Sequence, residues 1–172
     1  MKAKVVQDAD VLTYVVVCDP GDEAVAALTR FARTERLEAS QVTAVGAVER
    51  ATVGRFDRAA KEYRRIPVDE QCEVLSLIGD VAQGPDDASL HVHVVLGLAD
   101  GTTRGGHLLE GWVFPTLEVV VTQTPAELRK VMRPEFGIAL IDLDRSAGVD
   151  TGLPGSYGPQ FSITTLKGVL QC

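Results

Sequence analysis

Apolar residues in this chain recur mainly at every second position, which restricts most of it to half-buried β-strands. Val11-Leu-Thr-Tyr-Val-Val-Val17 is a β-branched run with strand character. Val42, Ala44, Gly46 and Val48 alternate, and Ala51 to Phe56 follow closely, as one long bent strand or a hairpin. Further strands are expected from Lys61 to Ile66, Cys72 to Val81, Leu90 to Leu98, Arg104 to Val113, Thr116 to Gln123 and Gly137 to Leu143. Turn residues part them, notably Gly84-Pro85-Asp86-Asp87 and Asp100-Gly101.

Helical spacing is clearest between Asp22 and Arg36, where Val25, Leu28, Phe31 and Ala32 share a face. Asp19 or Asp22 is the expected cap, with Pro20 tolerated nearby. Thr124-Pro125-Ala126-Glu127 has the pattern of a capping box and predicts a short helix to about Met132. The sum is an α+β fold: one domain, a mostly antiparallel sheet, and one main helix packed on it. Residues 1–143 are expected to form that domain. Residues 144–172 read as a C-terminal extension, with an irregular arm from Ser146 to Gln160 and a short strand from Phe161 to Leu166.

With 172 residues, the chain is long enough to bury a core without staples. Cys18, Cys72 and Cys172 are odd in number and widely spaced, unlike a disulfide framework or zinc ribbon, and Cys18 at a strand end and Cys72 within a strand are expected to be buried inert thiols. No apolar run has the length of a membrane span, and no leader pattern is visible; a reducing cytoplasm is the expected compartment. Seventeen Lys+Arg against 24 Asp+Glu give a formal charge of −7. That balance opposes a large phosphate-contacting surface, so direct duplex DNA binding is not expected.

The three histidines fall close together. In Leu90-His91-Val92-His93-Val94, both imidazoles leave one face of a strand while Leu90, Val92, Val94 and Leu96 take the other. His107 follows on the next strand, in Gly105-Gly106-His107. A two-residue turn at Asp100-Gly101 would put His107 on the wrong face. A three-residue loop places it across from His93, and a one-residue bulge at Gly105-Gly106 restores the same parity. Three imidazoles on adjacent strands suit zinc or another borderline divalent metal, with a fourth position left open.

These residues also carry a resemblance. Leu90-His-Val-His-Val-Val-Leu-Gly97, Asp100-Gly101 and Gly105-Gly-His-Leu-Leu-Glu-Gly111 are similar to the plant-and-prokaryote-conserved (PPC, DUF296) domain, bacterial type. Cys72 to Gly79, Ala44 to Ala47 and Arg133 to Leu143 fit it as well. The resemblance implies a single domain around an antiparallel sheet, a homotrimer, and a metal site at His91, His93 and His107. Plant members are transcription-related and bacterial ones are provisionally named DNA-binding proteins. The plant DNA contact belongs to an Arg-Gly-Arg-Pro AT-hook, and no such core occurs here.

Glu73, Glu110 and Glu118 are the carboxylates nearest the histidine strands in sequence, although regular alternation gives Glu110 the opposite parity to His107. Gly105, Gly106, Glu110 and Trp112 are the candidate ligand-binding residues around the metal; Phe114 shares a face with Trp112. Gly46 and Gly111 are further points where a backbone can approach closely. Arg55, Arg58, Arg64 and Arg65 belong to the main basic concentration, interleaved with acids. No phosphate-binding glycine loop or GxSxG elbow is present. The expected role is a non-catalytic regulatory or ligand-binding module. A small metal-dependent hydrolase or lyase, using a metal-activated water, is the alternative.

Overall fold

The computed structural model describes residues 1–7 and 11–148. Its strands are β1 (Lys2–Gln7), β2 (Leu12–Cys18), β3 (Ala39–Asp57), β4 (Glu62–Val68), β5 (Cys72–Gln83), β6 (Ala88–Gly97), β7 (Thr103–Gln123), β8 (Lys130–Arg133) and β9 (Ile138–Ile141), with one α-helix, α1 (Ala24–Thr34). The large sheet runs β1-β2-β7-β6-β5-β3-β4, and a further β7–β3 pairing closes β3, β5, β6 and β7 into a ring. Every strand pair in it is antiparallel, as expected for an α+β chain of this pattern. β1 was not anticipated from the sequence.

Alternation decides which side of each strand is buried. Val42, Ala44 and Val48 of β3, Leu77 and Val81 of β5, Val92, Val94 and Leu96 of β6, and Val113, Leu117 and Val119 of β7 join one core. Ala24, Ala27, Leu28, Phe31 and Ala32 of α1 enter the same cluster, with the helix against β6 and β7. A fully buried Leu or Val contributes about 1.5–3 kcal/mol, so this continuous core is the main stabilising term.

Three sequence expectations need correction. The cap of α1 is Glu23, not Asp19 or Asp22: its carboxylate accepts from Val25 N and Ala26 N at 3.1 and 2.7 Å. Gly111 N also donates to it at 2.9 Å, so one carboxylate fixes the helix start and ties it to β7. The two strands from Arg104 to Val113 and Thr116 to Gln123 are one strand, β7, unbroken at Pro115. The β3–β7 register shifts there, between Gly46↔Leu117 and Val48↔Val113, and a ladder irregularity is where a strand tolerates a missing donor.

No helix forms after Thr124. Its amide and hydroxyl both donate to Ala39 O at 3.1 Å, so the hydroxyl does not cap a following turn. Leu128 N donates to Glu38 O, and Glu127 exchanges backbone hydrogen bonds with Ala147. Donors that a helix would use internally are committed to distant strands, and tertiary pairing overrides local propensity. The segment instead leads into the β8–β9 hairpin and a 3-10 turn, Leu143–Arg145. The arm expected from Ser146 to Gln160 lies largely outside the described residues, and the strand from Phe161 to Leu166 lies wholly outside them. Among the described residues, no helix is long and apolar enough to cross a membrane.

Candidate metal centre

The β6–β7 turn sets the site. Leu98 N donates to Thr102 O at 2.9 Å and Gly101 N to Leu98 O at 3.0 Å, leaving Ala99, Asp100 and Gly101 as a three-residue loop. Gly101 has φ +80°, the left-handed position such a loop demands. Asp100 Oδ1 accepts from the amide and hydroxyl of Thr102, bracing the turn. The resulting register pairs His93 with His107, Val94 with Gly106 and Val95 with Gly105. The loop, rather than a bulge at Gly105-Gly106, solves the parity problem.

His91, His93 and His107 converge on the outer face of the ring, each offering a nitrogen within 4.8 Å of the others. Nε2 of His91 and Nε2 of His93 are 3.2 Å apart. Zn–N bonds of about 2.0–2.1 Å in a tetrahedron separate two ligand nitrogens by about 3.3 Å. His107 is clasped between Tyr63 and His91, with ring centroids at 4.6 and 5.2 Å and interplanar angles of 24° and 26°. Tyr63 comes from β4, where it pairs with Phe56 of β3, and its ring reaches over Gly54, the residue paired with His107. A Cβ at position 54 would lie 2.9 Å from the Tyr63 ring, so glycine leaves room for this stack.

Asp80 stands behind the cluster. It pairs with His91 across β5–β6, and its Oδ2 lies 3.3 Å from His91 Nδ1. A carboxylate there favours the Nδ1–H tautomer and turns the Nε2 lone pair toward His93, as outer-shell carboxylates do for metal-bound imidazoles. Asp80 Oδ1 lies 2.6 Å from Lys130 Nζ. Burial pushes the Asp80 carboxyl up, but the close contacts with His91 and the Lys130 ammonium outweigh it and hold the group below its ordinary value.

His93 and His107 are poised as neutral donors. Burial first, and the neighbouring His91 and His93 second, push His107 down to about 4. Burial and then His91 lower His93. His107 Nδ1 is buried without a hydrogen-bond partner, a costly state that a bound cation at this nitrogen would relieve. Three converging imidazole nitrogens, a carboxylate-braced ring and an orphaned imidazole nitrogen together fit a borderline divalent metal.

The remaining candidates are spread along the strands. Gly105 and Gly106 line a cavity of about 200 Å³ beside His93, with Ser76, Ile78 and Val95. A Cβ on either glycine would lie 2.7 Å from a backbone carbonyl oxygen, of Val94 and of Gly54 respectively. Glu110 is engaged by Arg65 at 2.6 Å and by the Thr52 hydroxyl at 3.4 Å. A register shift between Thr52 and Val53 accommodates Leu109, so the regular parity argued for Glu110 does not hold along β7. Trp112 carries the Arg50 guanidinium 4.2 Å above its ring, and Phe114 is exposed. Glu73 and Glu118 are exposed and outside the cluster. Cys18 and Cys72 are buried free thiols, with burial pushing Cys18 up to about 11; Cys172 lies outside the described residues.

Sequence reasoning missed Asp80, although a signal existed. Gly84 to Asp87 forms a four-residue loop closed by Gln83↔Ala88, and counting back along that register sets Asp80 opposite His91. Tyr63 had no comparable signal, because its stack depends on how the β3–β4 hairpin folds over β7.

Residues 7–125 match the family profile described as the Plants and Prokaryotes Conserved (PCC) domain. The chain belongs to this family. Two curated relatives, the bifunctional proteins GlmU of Synechococcus strains JA-3-3Ab and JA-2-3B'a(2-13), are 30% and 32% identical over 154 and 126 residues. Those matches take in 89% and 72% of this PCC chain but only 23% and 18% of the relatives' length.

Among solved structures, a plant- and prokaryote-conserved protein of Pyrococcus horikoshii is 27% identical with TM-score 0.72, covering 82% of this chain and 94% of that one. A metal-containing protein of Archaeoglobus fulgidus is 28% identical with TM-score 0.70, covering 81% and 96%. A Ralstonia eutropha protein, provisionally named as DNA-binding, is 25% identical with TM-score 0.70, covering 75% and 90%.

Proposed function

We propose that this PCC-domain protein binds one divalent metal, zinc first, through His91, His93 and His107, and works as a non-catalytic regulatory or ligand-binding module. The observation that carries the reading is the convergence of three imidazole nitrogens within 4.8 Å, two of them at tetrahedral-ligand spacing. The metal-containing Archaeoglobus relative supports it. When bound, the ion supplies a Lewis-acidic open position. The chain's own residues provide the surroundings of that position: Ile78 and Val95 an apolar wall, Gly105 and Gly106 close backbone approach. A small molecule with a metal-seeking donor and an apolar body matches this lining.

Non-catalysis is favoured over the hydrolase or lyase reading by Asp80. It is the carboxylate behind the site: it faces Nδ1 of His91, while Nε2 is the nitrogen near His93, and it is paired with Lys130, so it stands on the far side of the ring from the open position. A general base needs a free lone pair within reach of the proton it takes. Glu110 is likewise committed to Arg65.

Homotrimer formation is part of the proposal. Val45, Leu75 and Val120 are large apolar residues left exposed on the sheet outside that lining, of the kind that association covers. Light scattering should give a trimer, and a concentration-independent monomer would exclude it. The central test is metal analysis of untagged protein beside His93→Ala: about one zinc per chain is expected in the first and a large loss in the second. Equal content would remove His93 from the site. Zinc-dependent turnover of esters, phosphoesters or lactones that vanished in His107→Ala would favour the enzyme.

A further inference from the structure

Lys130 lies beyond the family-matched residues 7–125, yet its ammonium ends beside the metal centre. The chain before β8 is stitched to the ring: Leu128 N donates to Glu38 O at 3.1 Å, and Gln83 N donates to Leu128 O at 2.8 Å. Gln83 and Arg129 form a parallel bridge, which sets β8 alongside the end of β5. From there the Lys130 side chain, only 4% exposed, runs inward. Its Nζ lies 2.6 Å from Asp80 Oδ1 and donates to Ser89 O at 3.1 Å. A buried ammonium persists when it is both paired and hydrogen-bonded. Here β5 and β6 supply both partners, and β6 is the strand that carries His91 and His93.

The two oxygens of Asp80 are thereby divided. Oδ1 is taken by Lys130, which leaves Oδ2, 3.3 Å from His91 Nδ1, as the acceptor for the imidazole. Without the ammonium, the Asp80 carboxylate would be free to rotate about its terminal torsion or to recruit water, and His91 would lose its reference.

We propose that Lys130 is a positioning residue for the metal centre, acting through Asp80 to hold His91 in the Nδ1–H tautomer with Nε2 turned toward His93. The β8–β9 hairpin is then part of the site and does more than pack against the domain. The proposal rests on the three-histidine metal reading for its consequence, but its geometry can be tested without metal.

The test uses the full chain. In the metal-free protein, long-range ¹⁵N–¹H ring correlations of His91 should report the Nδ1–H tautomer, and Lys130→Met should give a mixture. Zinc affinity, measured by competition with a chromophoric chelator, should fall about ten- to a hundred-fold in Lys130→Met, as for other outer-shell losses. Lys130→Arg should recover most of it. In an Asp80→Asn background the Lys130→Met change should cost little more, because both act through one contact chain.

A purely structural lysine would lower the melting temperature while leaving tautomer and affinity unchanged. A wild-type His91 in the Nε2–H form, or a folded Lys130→Met protein within twofold of wild-type affinity, overturns the proposal. Should Lys130→Met not fold, Lys130→Gln keeps a donor for the Ser89 carbonyl and takes its place. Absence of zinc binding in the wild type would refute the metal reading alone, since the tautomer readout still decides the role of Lys130.

Discussion

His93 and His107 face each other directly across the β6–β7 ladder, and the three-residue loop Ala99–Gly101 makes them partners. The three-histidine cluster is therefore a consequence of turn geometry as much as of residue type. A loop that closed one residue differently would send the His107 ring into the core.

That dependence gives a stability prediction. At φ +80°, Gly101 has nothing within 4 Å of where a Cβ would be, so the cost of a side chain there is backbone strain alone. Gly101→Val should destabilise the protein by about 1–2 kcal/mol, the usual penalty for a left-handed L-residue. Gly101→Asn should cost much less, since asparagine adopts that conformation readily. Denaturant melts of the two variants with matched m-values check it; equal midpoints would show that the loop can change type without strain.

The stack on His107 gives the second. Tyr63 lies 4.6 Å from the imidazole centroid and nearly parallel to it. Such a pair is worth about 1 kcal/mol beyond buried area, so Tyr63→Leu should weaken zinc binding by about fivefold by loosening the ring. Tyr63→Phe keeps the aromatic face and should stay near wild type. Chelator competition on both variants is the measurement, and a Leu variant as tight as Phe would assign the stack no role.

In the metal-free protein His107 is held down to about 4 from an ordinary 6.5, by burial first and by His91 and His93 second. Between those values the unfolded chain carries a proton that the native ring does not. The unfolded state therefore binds more protons, and stability rises with pH across that window. Acidification from about 6.5 toward 4 should destabilise the metal-free fold, with no further slope from this group below 4. Metal needs the same neutral rings, so zinc release should follow the same direction. Urea midpoints across the window, with chelator present, should show a shallower slope in His107→Gln than in wild type. Parallel slopes would mean that His107 titrates normally.

Much of this was legible in the sequence because strand alternation is a local signal. Val92, Val94 and Leu96 are buried where the pattern put them, and His91 and His93 share the other face. The helix core residues Leu28, Phe31 and Ala32 followed the helical period in the same way. What was misread depends on distant partners. Thr124-Pro125-Ala126-Glu127 has a helix-start composition, but Ala39, Glu38 and Ala147 capture the backbone groups around it. Lys130 was invisible as a site residue because nothing near it in sequence points toward Asp80, fifty positions away. Asp80 itself needed only the β5–β6 register.

Nucleic acid is the last test. The formal charge is −7, and a trimer would carry about three times as much, so the average field repels a polyanion. The segment best suited to local contact holds Arg55, Arg58, Arg64 and Arg65. Within it, Arg64 is paired with Asp57 at 2.6 Å and Arg65 with Glu110 at 2.6 Å, so phosphate contact would first have to break two ion pairs. Each phosphate then neutralised would release about one counterion, and affinity would fall steeply with salt. Labelled duplex titrated at about 150 mM salt, near the physiological value, should therefore show no submicromolar binding. Submicromolar affinity at that salt, lost when the four arginines become glutamine, would show that a local arginine surface overcomes the net charge, and it would turn the regulatory reading into one of direct DNA contact.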